Sequence, residues 1–226
     1  MAKYTRIEVF QKMQETGVVP VFYHADPETA KKVLKACYDG GIRTFEWVNR
    51  GDFAHEVFSK INKYALEELP GMMLGAGSVV DEATAALYIQ AGANFIVSPL
   101  LNEHMARICN RRKIMWTPGC GSLSEINKAE ELGAELVKIF PASEVGGPSF
   151  VKAVKGPCPW TQIMPTGGVD TTPENLKQWF DAGVPCVGMG SKLFKKEMIA
   201  NGDFESLTQK VKDLTQTIQE IKSANL

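Results

Sequence analysis

Cysteine is sparse in this 226-residue chain, and its five copies never fall as Cys-x-x-Cys. Cys37, Cys109, Cys120, Cys158 and Cys186 are scattered and odd in number. That argues against a disulfide framework or a thiolate zinc site and reads as reduced thiols in a cytoplasmic protein. Histidine is scarcer still. His24, His55 and His104 stand apart without ligand spacing, so no metal is expected. No apolar run approaches the ~20 residues that cross a bilayer. The opening Met1-Ala2-Lys3-Tyr4-Thr5-Arg6 lacks the apolar core of a secretory signal. An excess of either charge is missing too: Lys+Arg is 25 against Asp+Glu 26. Neither nucleic acid nor a membrane is therefore an expected partner, although a local basic pocket stays open.

What the chain has is a recurring unit. A helical stretch ends in Gly, two spacer residues follow, and a short apolar run begins. It appears as Gly41-Ile42-Arg43-Thr44-Phe45-Glu46, Gly92-Ala93-Asn94-Phe95-Ile96-Val97, Gly133-Ala134-Glu135-Leu136-Val137-Lys138 and Gly183-Val184-Pro185-Cys186-Val187-Gly188. Each Gly sits where a helix needs a left-handed residue just past its end. The apolar runs suit parallel strands covered on both faces. Eight strands are expected, at 18–23, 44–48, 72–76, 95–98, 114–117, 136–140, 162–166 and 186–190. Helices are expected at 27–39, 54–69, 81–91, 102–112, 123–132, 148–155, 172–182 and 204–223, with a short one at 5–16 before the first strand. Strict alternation with short loops predicts one (β/α)8 TIM barrel spanning 1–226, preceded by a short N-terminal helix. The rival, an open doubly wound sheet, needs Gly-x-Gly-x-x-Gly after an early strand. Gly75-Ala76-Gly77 starts that pattern without completing it.

Two ionisable residues interrupt the apolar strands. Glu46 and Lys138 each stand fifth after the Gly of their units, on the second and sixth strands. Side chains alternate along a strand, so equivalent positions share a side. If that side is the barrel interior, a carboxylate faces an amine across the mouth, where barrels place catalysis. The bland alternatives are a buried structural ion pair or a lysine that snorkels. Because apolar surroundings disfavour an ammonium and free an amine to attack carbonyls, Lys138 is the candidate nucleophile and Glu46 the proton shuttle. Glycines at Pro165-Thr166-Gly167-Gly168-Val169 and Gly188-Met189-Gly190-Ser191 close the last two strands, where barrels commonly bind phosphate. Ser191 adds a hydroxyl, and 191–194 is read as a possible helix N-terminus. Arg50 offers a planar fork for a carboxylate, or is simply a loop charge. Gly75-Ala76-Gly77-Ser78 sets another hydroxyl on the rim.

In family order these blocks, with Ser98-Pro99, Pro118-Gly119 and Val137-Lys138-Ile139-Phe140-Pro141-Ala142, resemble the 2-keto-3-deoxy-6-phosphogluconate/4-hydroxy-2-oxoglutarate aldolases over nearly the whole chain. The resemblance implies a class I, Schiff-base aldolase, a homotrimer with neither metal nor organic cofactor. It makes Lys138 the Schiff-base lysine and Glu46 the general acid/base. It sets Arg50, Ser78 and Pro99 at the pyruvate carboxylate, Thr166, Gly167, Gly168, Gly190 and Ser191 at the phosphate, and Phe140 beside the nucleophile. The expected reaction releases pyruvate and glyceraldehyde 3-phosphate from a phosphorylated keto sugar acid. The 4-hydroxy-2-oxoglutarate and 6-phosphogalactonate types are alternatives, as are a phosphosugar isomerase or epimerase and a non-catalytic phosphosugar-binding module. Trp47-Val48-Asn49, Ser78, Leu100 and Phe22-Tyr23-His24 depart from the family pattern.

Overall fold

The computed structural model describes residues 2–224. Helix starts are written locally. Thr5 and Glu8 form a reciprocal capping box on α1 (Arg6–Thr16). Asp26 caps α2 (Pro27–Asp39), Asp81 caps α4 (Glu82–Gln90), Asn102 caps α5 (Glu103–Arg112), Ser122 caps α6 (Leu123–Glu131) and Thr172 caps α8 (Pro173–Phe180). In each case a side-chain oxygen accepts an otherwise orphaned N–H of the first turn. The remaining helices are α3 (Ala54–Glu68), α7 (Gly147–Lys155), a short α9 (Lys196–Ala200) that the sequence pattern did not announce, and α10 (Phe204–Ala224). Helix ends are local as well: the four repeat glycines, Gly41, Gly92, Gly133 and Gly183, have φ of 102, 95, 88 and 88°. Among the described residues no helix is long and apolar enough to cross a membrane. All five thiols are free, and burial pushes that of Cys120 up to about 12.

The strands are parallel, and all but one lie where the apolar runs predicted them. They are β1 (Val18–Phe22), β2 (Thr44–Val48), β3 (Met73–Gly77), β4 (Phe95–Val97), β5 (Met115–Thr117), β6 (Gly119–Cys120), β7 (Val137–Ile139), β8 (Ile163–Pro165) and β9 (Val187–Met189). The expected strand 114–117 is β5; β6 is a further two-residue strand outside every expected range, set off from β5 by Pro118, which brings no N–H to the ladder. One sheet runs β5-β4-β3-β2-β1-β9 and the other β6-β7-β8. A single residue separates β5 from β6, and a parallel bridge from Thr166 to Gly188 links the end of β8 to β9. The result is a parallel sheet curled upon itself, with helices on its convex side.

Curling divides the core in two. Outward-facing strand residues such as Phe45, Trp47, Leu74, Ile96, Trp116 and Ile139 pack with the apolar helix faces into one cluster. Inward-facing Val19, Met73, Phe95, Val97, Met115, Leu136, Met164 and Cys186 form a second cluster, closed by Val9 and Met13 of α1. The short N-terminal helix therefore plugs the inner face at one end, leaving the other end for chemistry.

Candidate active site

Strand parity turns Glu46 inward. It alternates with Phe45 and Trp47, which pack outward, and it is in register with Val21 of β1 and Gly75 of β3. Lys138 alternates likewise with Val137 and Ile139 on β7, in register with Gly119 and Met164. The two side chains meet: Lys138 Nζ lies 3.8 Å from Glu46 Oε1, with only 6% and 1% of the side chains exposed. Breaking such a pair costs about 3–5 kcal/mol, because the survivor is a lone buried charge. Burial pushes the Glu46 carboxyl above the ordinary value, and the Lys138 charge partly counters it. A carboxyl raised in this way holds and releases protons at less acidic pH, as a shuttle requires. Glu46 Oε2 is buried without a hydrogen-bond partner, leaving one acceptor free for a ligand.

Glycine makes the room. A Cβ on Gly77 would stand 1.8 Å from Glu46 Oε1, and one on Gly188 would stand 2.2 Å from Thr166 Oγ1. Glu46, Lys138 and Thr166 each have a glycine on one neighbouring strand, at Gly77, Gly119 and Gly188. Phe140 follows Lys138 with its ring centroid 5.0 Å from Nζ, and it is 40% exposed, so it forms a wall open to solvent.

The other residues singled out from sequence gather at the same strand ends. Arg50 is exposed in the loop after β2. Ser78 directly follows β3 in a left-handed conformation, φ 55°. Pro99 follows β4, and its carbonyl group would lie 2.3 Å from a Cβ on Gly119, so the β4 and β6 ends touch there. Thr166 directly follows β8; its N–H donates to the Ile139 carbonyl at 3.0 Å and its carbonyl accepts from Ala142 N–H at 2.9 Å. Gly167 and Gly168 both have positive φ, 96 and 76°. Gly190 and the exposed Ser191 follow β9. Residues 191–194 do not begin a helix. They close one turn in which Leu193 and Phe194 N–H both donate to the Gly190 carbonyl, at 2.9 and 3.1 Å, so the N–H groups nearest Gly190 stay free of a helical ladder.

Two features escaped the sequence reading. Thr117 is paired with inward-facing Val97, fully buried, and its Oγ1 has no partner. It is a further polar group on the inner face besides Glu46 and Lys138. The signal was available in strand parity, but a threonine in a strand is too ordinary to stand out. The second is the setting of the Arg50 loop. Asn49 N–H donates to the Gly77 carbonyl at 2.8 Å, and Asn49 Oδ1 accepts from the Tyr88 hydroxyl at 2.8 Å. Burial, reinforced by the nearby Tyr23 phenol, pushes Tyr88 up to about 12, so its hydroxyl stays a proton donor. No local pattern could join residues 39 positions apart.

Known proteins resemble this arrangement throughout. The family model "KDPG and KHG aldolase" matches residues 9–210. A 2-dehydro-3-deoxy-phosphogluconate aldolase of Treponema pallidum is 32% identical over 202 residues, covering 89% of this chain and 93% of the relative. The KHG/KDPG aldolase of Escherichia coli K12 is 32% identical over 193 residues, covering 85% and 87%. Among solved structures, the Legionella pneumophila KDPG aldolase, with pyruvate captured at low pH as a covalent carbinolamine intermediate, superposes with a TM-score of 0.79. It is 26% identical, and the match covers 90% of this chain and 96% of that one.

Proposed function

The chain belongs to the KDPG and KHG aldolase family, and from that membership and the Lys138–Glu46 geometry we propose how it works. It is a class I aldolase, a carbon–carbon lyase that cleaves a 2-keto-3-deoxy-6-phospho sugar acid to pyruvate and an aldehyde. The phosphogluconate-type acid is the substrate assigned, with glyceraldehyde 3-phosphate as the second product. The carrying observation is the buried amine 3.8 Å from a buried carboxyl. Lys138 delivers its proton to Glu46 and attacks the C2 ketone, and the carbonyl oxygen takes a proton to give a carbinolamine. Protonated again through Glu46, that oxygen leaves as water and a protonated imine forms. Removal of the C4 hydroxyl proton then breaks the C3–C4 bond, and its electron pair moves into the imine as an enamine. The aldehyde departs. Protonation at C3 and hydrolysis release pyruvate and restore the amine.

Arg50, Ser78 and Pro99 hold the carboxylate end. Thr166, Gly167, Gly168, Gly190 and Ser191 hold the phosphate, with Phe140 as the wall beside the nucleophile. The positive φ of Gly167 and Gly168 and the turn after Gly190 support the phosphate assignment, since such backbone presents N–H groups to an anion. The reading extends to architecture: the curled sheet is a closed (β/α)8 barrel of one domain, assembled as a homotrimer. Continuity of the chain through Pro118 and the Thr166–Gly188 bridge support closure. The trimer rests on family membership.

Borohydride tests the chemistry. Reduction in the presence of pyruvate should add a stable mass to the peptide containing Lys138. Lys138→Met should take up no label and lose turnover by about 10³-fold or more, while melting as a folded protein. A labelled peptide elsewhere, or turnover that survives Lys138→Met, overturns the imine.

A further inference from the structure

The residues between the catalytic glutamate and the carboxylate-binding arginine form a built support. Trp47 is fully buried, and its indole N–H donates to the Ala54 carbonyl at 3.0 Å, tying β2 to the first residue of α3. Its ring lies 5.3 Å from that of Tyr23. The Tyr23 hydroxyl in turn sits where a Cβ on Gly51 would stand 2.8 Å away, and Gly51 has φ +84°. A side chain at 51 would be both strained and in collision, so the phenol fixes the loop path from above. On the other side Asn49 is held twice, by the Gly77 carbonyl and by the Tyr88 hydroxyl, each at 2.8 Å. Tyr88 cannot drift, because its fully buried ring packs edge-on against Phe58 at 5.2 Å.

Arg50 is the residue between these restraints. Its own side chain is exposed, so nothing but the backbone on either side defines where the guanidinium starts. A long charged side chain loses rotamer and backbone freedom when it grips a ligand, and a loop fixed in advance lowers that cost. The gripping energy then appears as affinity.

We infer that Tyr88 and Asn49 are a positioning pair for the Arg50 loop, fixing the carboxylate anchor relative to Lys138 without touching substrate. The inference rests on the reading of Arg50 as that anchor. It assigns a task to the stretch Trp47-Val48-Asn49 between Glu46 and Arg50. Asn49 also joins the ends of β2 and β3, so one amide sets the spacing between Arg50 and Ser78. The pair acts on binding of the keto acid and leaves the proton transfers at Glu46 alone.

A steady-state assay of pyruvate release from 2-keto-3-deoxy-6-phosphogluconate decides it. Tyr88→Phe removes one oxygen and keeps the ring on Phe58; Asn49→Leu removes the acceptor. Each should raise KM about tenfold, the scale of one lost hydrogen bond, with kcat within about twofold of wild type. The double variant should be no worse than either single one, because both remove the same bond. Borohydride capture at saturating pyruvate should be unchanged. A lowered Tm with KM unmoved would mean the bond is structural only, and a fall in kcat at constant KM would also overturn the pair. Arg50→Lys separates the layers. If it raises KM while Tyr88→Phe does not, the pair alone is wrong. If Arg50→Lys leaves KM untouched, the carboxylate assignment fails and the pair with it.

Discussion

The two ends of the inner face are made by the same strands, yet they differ in character. At the α1 end, inward positions carry Val19, Met73, Phe95, Met115, Leu136, Met164 and Cys186, sealed by Val9 and Met13, with Thr44 beside Met73 as a polar exception. At the other end the inward positions read Glu46, Thr117, Lys138 and Thr166, interleaved with Gly77, Gly119 and Gly188. The sealed end is apolar apart from Thr44, whose Oγ1 is buried without a partner. The other holds several buried polar atoms without partners, Glu46 Oε2, Thr117 Oγ1 and Thr166 Oγ1 among them. An unpartnered buried polar group costs about 1–3 kcal/mol, and the sealed end supplies the apolar burial that offsets this. Stability and reactivity are thus separated by about one layer of side chains along the strand axis.

Two glycines on the same face of β3, Gly75 and Gly77, give the sharpest way to break that contrast. Gly77→Ala puts a methyl onto the Glu46 carboxyl, 1.8 Å from Oε1, which a flexible side chain escapes by turning away. Turnover should fall by about 10²-fold or more, the scale of a lost general acid/base, and Tm should fall as well, because the buried pair with Lys138 is broken. Gly75→Ala, two residues toward the sealed end, drives the methyl 2.2 Å from the Phe95 ring, which packed neighbours hold in place. There the loss should be about 1–3 kcal/mol of stability, with kcat of the folded fraction preserved. Equal losses of activity from both would erase the distinction between the ends.

Thr117→Val is a gentler probe. Removing a hydroxyl without a partner while keeping its shape should raise stability by about 1 kcal/mol. A lower Tm in a melting experiment would show that the hydroxyl is bonded and the polar end better satisfied than it looks.

The smallest effect is on pH dependence. Burial raises the Glu46 carboxyl above its usual 4.5, and Lys138 counters that. In Lys138→Met the counter-charge is gone and the folded protein holds the Glu46 proton to still higher pH. The unfolded chain ionises first, so it binds fewer protons and stability must fall as pH rises above 4.5. A Tm series across pH should show that decline running to higher pH in Lys138→Met than in wild type. Declines ending at the same pH would mean that Glu46 does not feel the lysine.

Much of this was legible because the demands are local. Gly41, Gly92, Gly133 and Gly183 all proved left-handed, since a helix end needs that conformation whatever lies beyond it. Glu46 and Lys138 stood out because charge is rare in strands buried on both faces, and parity then fixed their direction. The turn at 191–194 was misread as a helix start because a serine after glycine looks the same in either. The two-residue β6 went unread because Gly119-Cys120 carries no apolar run and is a strand only through its pairing with Lys138 and Ile139.

The sequence by itself determined the order of strands and helices, their ends, and which two ionisable side chains leave the apolar pattern, because each depends on residues within a turn or a strand of one another. Only the tertiary structure decided that the amine and the carboxyl approach to 3.8 Å, that glycines clear the space around them, and that Tyr88 reaches Asn49. Those are distances between segments far apart in the chain, set by how the sheet curls and packs, and no local preference encodes them.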